Sequence, residues 1–119
     1  MLTLRELQEV NVSRANRWHS GDYRNWSETD WACAMFGEAG EAANAVKKLL
    51  RIRTGICQVN DPERLLDTEA VARAAIAEEL ADMIIYAVIL AARVGADIET
   101  VVIEKFNRTS AKYGFPERL

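Results

Sequence analysis

Start and stop signals for helices follow one another along this chain, and no stretch between them alternates as a strand would. Thr3-Leu4-Arg5-Glu6 has the form of a capping box, in which threonine and glutamate satisfy each other's free backbone N–H groups. Leu4, Leu7, Val10, Ala15 and Trp18 then approximate one helical face. His19 to Trp26, with Gly21, Asp22 and Asn25, reads as a loop. Ser27-Glu28-Thr29-Asp30 opens a second helix, with Ser27 as cap and acids where the helix dipole favours them. That helix is predicted to run to about Arg53, with Lys47, Lys48, Arg51 and Arg53 near its C-terminal end and Gly55 as its stop. Asp61-Pro62 has the form of a cap followed by proline at the first helical position. Thr68 is read as the cap of a third long helix that ends at Val94 before Gly95. Asp97 caps a fourth, which stops near Tyr113 at Gly114 and Pro116. The expected fold is all-α, a helical bundle in a single domain over residues 1–119.

Bulk properties exclude several functions. A net charge of −3 supplies no basic excess for a nucleic-acid backbone, so no nucleic-acid polymer is expected as a partner. An anionic ligand must then be won by local groups or by a metal. Cys33 and Cys57 make no CxxC or zinc spacing, and His19, the single histidine, rules out a His-rich metal site. The longest apolar stretch, Leu80 to Val94, is interrupted by Asp82 and falls short of the roughly 20 residues that span a bilayer, so no membrane is expected. The N-terminus turns polar before a signal-type apolar segment forms, which makes the cytoplasm the expected location.

Two pairs of acids carry the chemistry. Glu38 and Glu41 lie three apart in Phe36-Gly37-Glu38-Ala39-Gly40-Glu41, and Glu79 and Asp82 lie three apart in the third helix. Such spacing puts each pair on one helix face. Acids on helices are usually solvated, but Asp82 heads a run to Ala92 whose other members are apolar apart from Tyr86. A solvated face would place polar residues at 85, 86, 89 and 93, where only Tyr86 and Arg93 are polar, so Asp82 is expected to point into a protected space. A buried, unpaired carboxylate costs several kcal/mol and must be protonated, paired or metal-bound. Gly37 and Gly40 each cost about 1 kcal/mol against alanine inside a helix, which is consistent with the close approach of either another helix or a ligand. If the two pairs face each other, an all-oxygen site of that kind calls for a hard cation, magnesium or manganese. Lys105, Arg108 and Lys112 recur at helical spacing with Asn107 alongside, either as a solvated basic helix end or as a phosphate site. Trp18, Trp26, Trp31 and Tyr86 are candidates for the core or for stacking on a base.

With both motifs and their flanks in place, the chain resembles the MazG-like group of the all-α NTP pyrophosphatase superfamily. That superfamily includes MazG, dimeric dUTPases, dCTP pyrophosphatase and phosphoribosyl-ATP pyrophosphatase. The resemblance rests on Glu38-Ala39-Gly40-Glu41 as ExxE, on Glu79-Leu80-Ala81-Asp82 as ExxD, and on the tail from Lys105-Phe106-Asn107 through Tyr113-Gly114-Phe115-Pro116. It spans about Asp30 to the C-terminus, with a longer stretch than usual between the motifs, at about Ile52 to Ala72. It implies a four-helix-bundle-type fold completed by dimerisation, as a homodimer or homotetramer. The implied activity is magnesium-dependent hydrolysis of (deoxy)nucleoside triphosphates to the monophosphate and pyrophosphate, a clean-up of the nucleotide pool. Glu38, Glu41, Glu79 and Asp82 would hold the metal and carry the catalysis. Lys48, Tyr86, Lys105, Asn107 and Arg108 would contact the nucleotide. A dedicated dUTPase, dCTP pyrophosphatase or phosphoribosyl-ATP pyrophosphatase is the alternative within the superfamily, and a non-catalytic helical interaction module is the alternative outside it.

Overall fold

The computed structural model describes residues 1–56 and 69–119. Among these residues there are four α-helices and no strand: α1 (Leu4–Trp18), α2 (Glu28–Arg53), α3 (Glu69–Arg93) and α4 (Ile98–Tyr113), with a short 3-10 turn at Tyr23–Asn25 inside the expected loop. The architecture is all-α, as the sequence predicts. None of these helices is long and apolar enough to cross a membrane. Cys57, Asp61-Pro62 and Thr68 lie outside the described residues.

Local chemistry sets the helix ends. Thr3 accepts from the Glu6 N–H while Glu6 reaches back to the Thr3 N–H at 2.8 Å, which completes the capping box. Ser27 and Asp30 exchange the same two kinds of contact at the start of α2, with Ser27 N to Asp30 at 2.8 Å and Asp30 N to Ser27 Oγ at 3.2 Å. The Asp97 side chain accepts from the Thr100 N–H at the start of α4. Gly55, Gly95 and Gly114 take φ of 70°, 74° and 70°. In that left-handed geometry the next N–H bonds back to Arg51, Ala91 and Ser110 respectively, closing α2, α3 and α4.

By backbone contacts the chain divides into two compact units, residues 1–31 with 87–119 and residues 32–86. In the first, Trp31, Ala15, Val88, Ile89 and Ala91 are buried. The rings of His19, Trp26 and Trp31 cluster with centroids 4.6 to 5.1 Å apart. Trp31 Nε1 donates to the Tyr23 carbonyl at 3.2 Å, and the Tyr23 hydroxyl donates to the Ala92 carbonyl at 3.3 Å. Gln8 is buried and fully used: its amide donates to the carbonyls of Ala96 and Val88, and its oxygen accepts from the Ile98 N–H.

The buried stripe of α1 is Gln8, Asn11 and Ala15, whereas Val10 and Trp18 are 68% and 69% exposed. The expected apolar face is therefore misplaced by part of a turn. Two polar residues occupy the inner face, where Gln8 serves backbone groups, and hydrophobicity alone cannot register such positions. The Trp18 ring is instead covered by the Arg14 guanidinium, 5.2 Å from its centroid.

In the second unit, Ala42, Leu49 and Ala72 are buried. Arg53, at the end of α2, bonds Glu69, at the start of α3, at 2.9 Å, and Glu41 stands near Glu79, so the two helices run antiparallel. Arg73 shares the Glu69 carboxylate.

Candidate active site

The second unit brings acids from both motifs together. One carboxylate oxygen from each of Glu38, Glu41 and Glu79 lies within 4.8 Å of the others. The helices make this possible in a simple way. Three-residue spacing stacks Glu38 under Glu41 on α2, and the antiparallel α3 presents Glu79 to both. Glu38 and Glu79 are half-buried and Glu41 is exposed. The Glu79 carboxyl is pushed above its ordinary range, first by burial, then by the charges of Glu41, Glu38 and Asp82, and by a hydrogen bond to Glu38 that a proton on Glu79 supplies. The neighbouring acids thus make a negative charge on Glu79 harder to hold.

Asp82 is near enough to Glu79 to raise its pKa, yet it is not part of the close trio. Its side chain is exposed, against the expectation of a protected space. The apolar residues on either side of it are not covered evenly. Val88 and Ile89 are 1% exposed, but Leu80 and Ile84 are 42% and 45% exposed. An apolar sequence tells that a face can be buried, not what lies across from it.

A cavity of about 320 Å³ adjoins the trio, lined among the described residues by Glu41, Asn44, Ala45 and Lys48 of α2 and by Ala72, Ala75 and Glu79 of α3. Lys48 thus shares a wall with two of the acids. Asn44, three residues beyond Glu41, extends the stripe Glu38, Glu41 by one more helical turn, the only sequence signal that points to it.

Among the described residues Gly37 and Gly40 mark no close approach: a Cβ placed on either would meet nothing within 4 Å, so packing of the described helices does not explain them. Tyr86 is half-buried, one turn beyond Asp82 on α3. Lys105 and Arg108 are exposed on α4 in the first unit, where Lys105 lines an apolar cavity of about 410 Å³ with Val101, Val102, Phe106 and Thr109. Both ends of the Asn107 amide are engaged by the backbone of Leu119, at 2.9 and 3.3 Å, so the structure gives that residue a partner inside the chain. Of the tryptophans, Trp31 is core, while Trp18 and Trp26 keep exposed surface.

A sequence model described as the MazG-like family matches residues 56–119, more than half of the chain. The chain belongs to the MazG-like family. The matched stretch contains Glu79, Asp82, Tyr86 and the whole of α4, and the family suggests an NTP-pyrophosphatase-type function. Glu38 and Glu41 precede the match, so their place in the site rests on the carboxylate cluster itself. Comparison with curated proteins and with solved structures gives no match.

Proposed function

We propose that this chain is a magnesium-dependent nucleoside triphosphate pyrophosphohydrolase that releases a nucleoside monophosphate and pyrophosphate from surplus or non-standard (deoxy)nucleotides of the cytoplasmic pool. The observation that carries the reading is the convergence of Glu38, Glu41 and Glu79 from two helices, in a chain of the MazG-like family. The donor set supports a hard divalent ion, because every donor is a carboxylate oxygen. The carboxylate oxygens of the trio, all within 4.8 Å of one another, would hold such an ion between them. Glu38, Glu41 and Glu79 would hold the ion, with Asp82 joining them from one turn along α3. Manganese would satisfy the same donors.

A bound ion supplies Lewis acidity, lowering the pKa of water and offsetting charge on the phosphoryl oxygens. The chain's own residues do the rest. The four carboxylates fix where the triphosphate sits, and Lys48 offsets phosphate charge beside them. Lys105 and Arg108 provide further cations for phosphate oxygens, and Tyr86 offers a ring and hydroxyl to the sugar or base. Asn107 holds the backbone of Leu119. Overall, water adds across one phosphoanhydride bond, a glutamate of the cluster takes the water's proton, and monophosphate and pyrophosphate separate. A second copy of the chain completes the site, as homodimer or homotetramer. In support, the second unit leaves Phe36, Val46, Leu50, Leu80 and Ile84 exposed, apolar side chains that a second copy would cover.

The test is to incubate the protein with each (d)NTP and magnesium and to quantify pyrophosphate separately from orthophosphate. Pyrophosphate in step with monophosphate is expected, and Glu41→Gln should abolish it. Orthophosphate with a diphosphate product would contradict the proposed reaction. The same nucleotide panel separates a general clean-up enzyme from a dedicated dUTPase, dCTP pyrophosphatase or phosphoribosyl-ATP pyrophosphatase.

A further inference from the structure

Val10, Ser13, Arg14, Arg17 and Trp18 recur at helical spacing on α1, so they share one exposed stripe about two turns long. The buried stripe of Gln8, Asn11 and Ala15 faces away from it. Arg5, Arg24, Arg53, Arg73 and Arg93 each pair with a carboxylate. Among the described residues Arg14 and Arg17 pair with none, although they stand three apart, where like charges repel. Arg14 is nevertheless held in place. Its Nη2 donates to Asn11 Oδ1 at 2.8 Å, and its guanidinium lies 5.2 Å from the centroid of the Trp18 ring. One cation is thus preorganised and a second stands beside it, with the exposed apolar surface of Val10 and Trp18 at either end. Val10, Ser13, Arg14 and Arg17 line a cavity of about 180 Å³. That volume is below the range of roughly 300–1,000 Å³ typical of small-molecule sites, and it suits a single side chain.

We infer that this stripe is a docking face for an acidic, amphipathic helix of a partner protein. Carboxylates three or four residues apart on that helix meet Arg14 and Arg17, and one of its side chains enters the cavity beside Ser13. Apolar residues flanking the carboxylates cover Val10 and Trp18. Both terms favour association: a carboxylate relieves the repulsion between the guanidinium groups, and the Trp18 ring leaves water. Tryptophan and arginine are also the residues on which interface energy concentrates. A nucleic-acid strand is a poorer occupant, because its phosphates call for a longer run of cations and Glu6 and Glu9 stand in the preceding turn. So short a face fits a transient contact. None of these residues takes part in the proposed hydrolysis, so the two proposals stand or fall separately.

The probe is a capped helical peptide of alanine with glutamates and leucines along one face. A second peptide carries glutamine in place of each glutamate, and a third carries lysine. Each is titrated into the full chain, labelled with nitrogen-15, and the indole N–H signals of Trp18, Trp26 and Trp31 are followed by NMR. The glutamate peptide should move the Trp18 signal to saturation, and added salt should weaken its binding. The glutamine peptide should bind about tenfold more weakly or worse, the usual loss for a charged hydrogen bond. Arg14→Glu combined with Arg17→Glu should turn the preference to the lysine peptide. Should that pair fail to fold, Arg17→Gln and Trp18→Ala, both at exposed positions, decide the matter, and each should weaken the glutamate peptide. No binding of that peptide, an equal response to its glutamine counterpart, or shifts confined to Trp26 and Trp31 would each overturn the inference. So would a complex of two chains that the charge reversal dissociates, since the occupant would then be a second copy.

Discussion

Glu79 reports the condition of the site more directly than any other residue. Its carboxyl is raised by burial and by three neighbouring acids, so the folded chain gives up that proton at higher pH than the unfolded chain does. Between those two points Glu79 contributes a growing loss of stability, complete once the folded chain also ionises. Asp97 acts with the opposite sign: the Thr100 N–H and Arg5 hold it below its usual range, so its stabilisation is present above that range and fades in acid. Glu79→Gln should therefore unfold at higher urea than wild type at neutral pH in a chelator, with the difference vanishing in acid. Magnesium should reverse the order, since only the wild type gains from binding. Equal midpoints at both pH values would remove the argument from crowded charge. Gln8 provides a purely structural counterpart. Gln8→Leu leaves the Ala96 carbonyl and the Ile98 N–H without their buried partner, and a loss of about 1–3 kcal/mol in urea unfolding is expected, with activity per folded molecule unchanged.

At the scale of the helices, the ends were legible in the sequence and the faces only partly so. Thr3, Ser27, Asp97, Gly55, Gly95 and Gly114 act within a few residues of themselves, so their roles follow from identity and spacing. Glu38 and Glu41 were legible as a pair for the same reason. The exposure of Val10 and Asp82 was not, because burial depends on distant chain, and Gln8 and Asn11 show that an inner face need not be apolar. Gly37 and Gly40 can now be tested as a pair. Each sits inside α2 facing open space, so alanine should stabilise the isolated helix by up to about 1 kcal/mol per site. If ligand or a second copy needs that space, the same substitutions will raise the thermal midpoint while lowering turnover. A gain in both would mean the glycines serve no contact.

For the whole molecule, the exposed apolar residues of the second unit predict association. Sedimentation should give a mass above the 13.4 kDa of one chain, and Phe36→Asp with Ile84→Asp should return it to that value. A wild-type monomer at every concentration would leave Asp82 exposed in the working protein, as it is in the single chain. The pairing of Arg53 with Glu69 has a consequence of a different sort. It joins the residues that close α2 and open α3, so whatever polypeptide connects them must begin and finish at neighbouring points. Closing a longer connection between fixed ends costs only about 0.6 kcal/mol for each doubling of its length. A longer or shorter connection would thus leave the distance between the carboxylates as it is, so what surrounds the chemistry can change while the chemistry stays put.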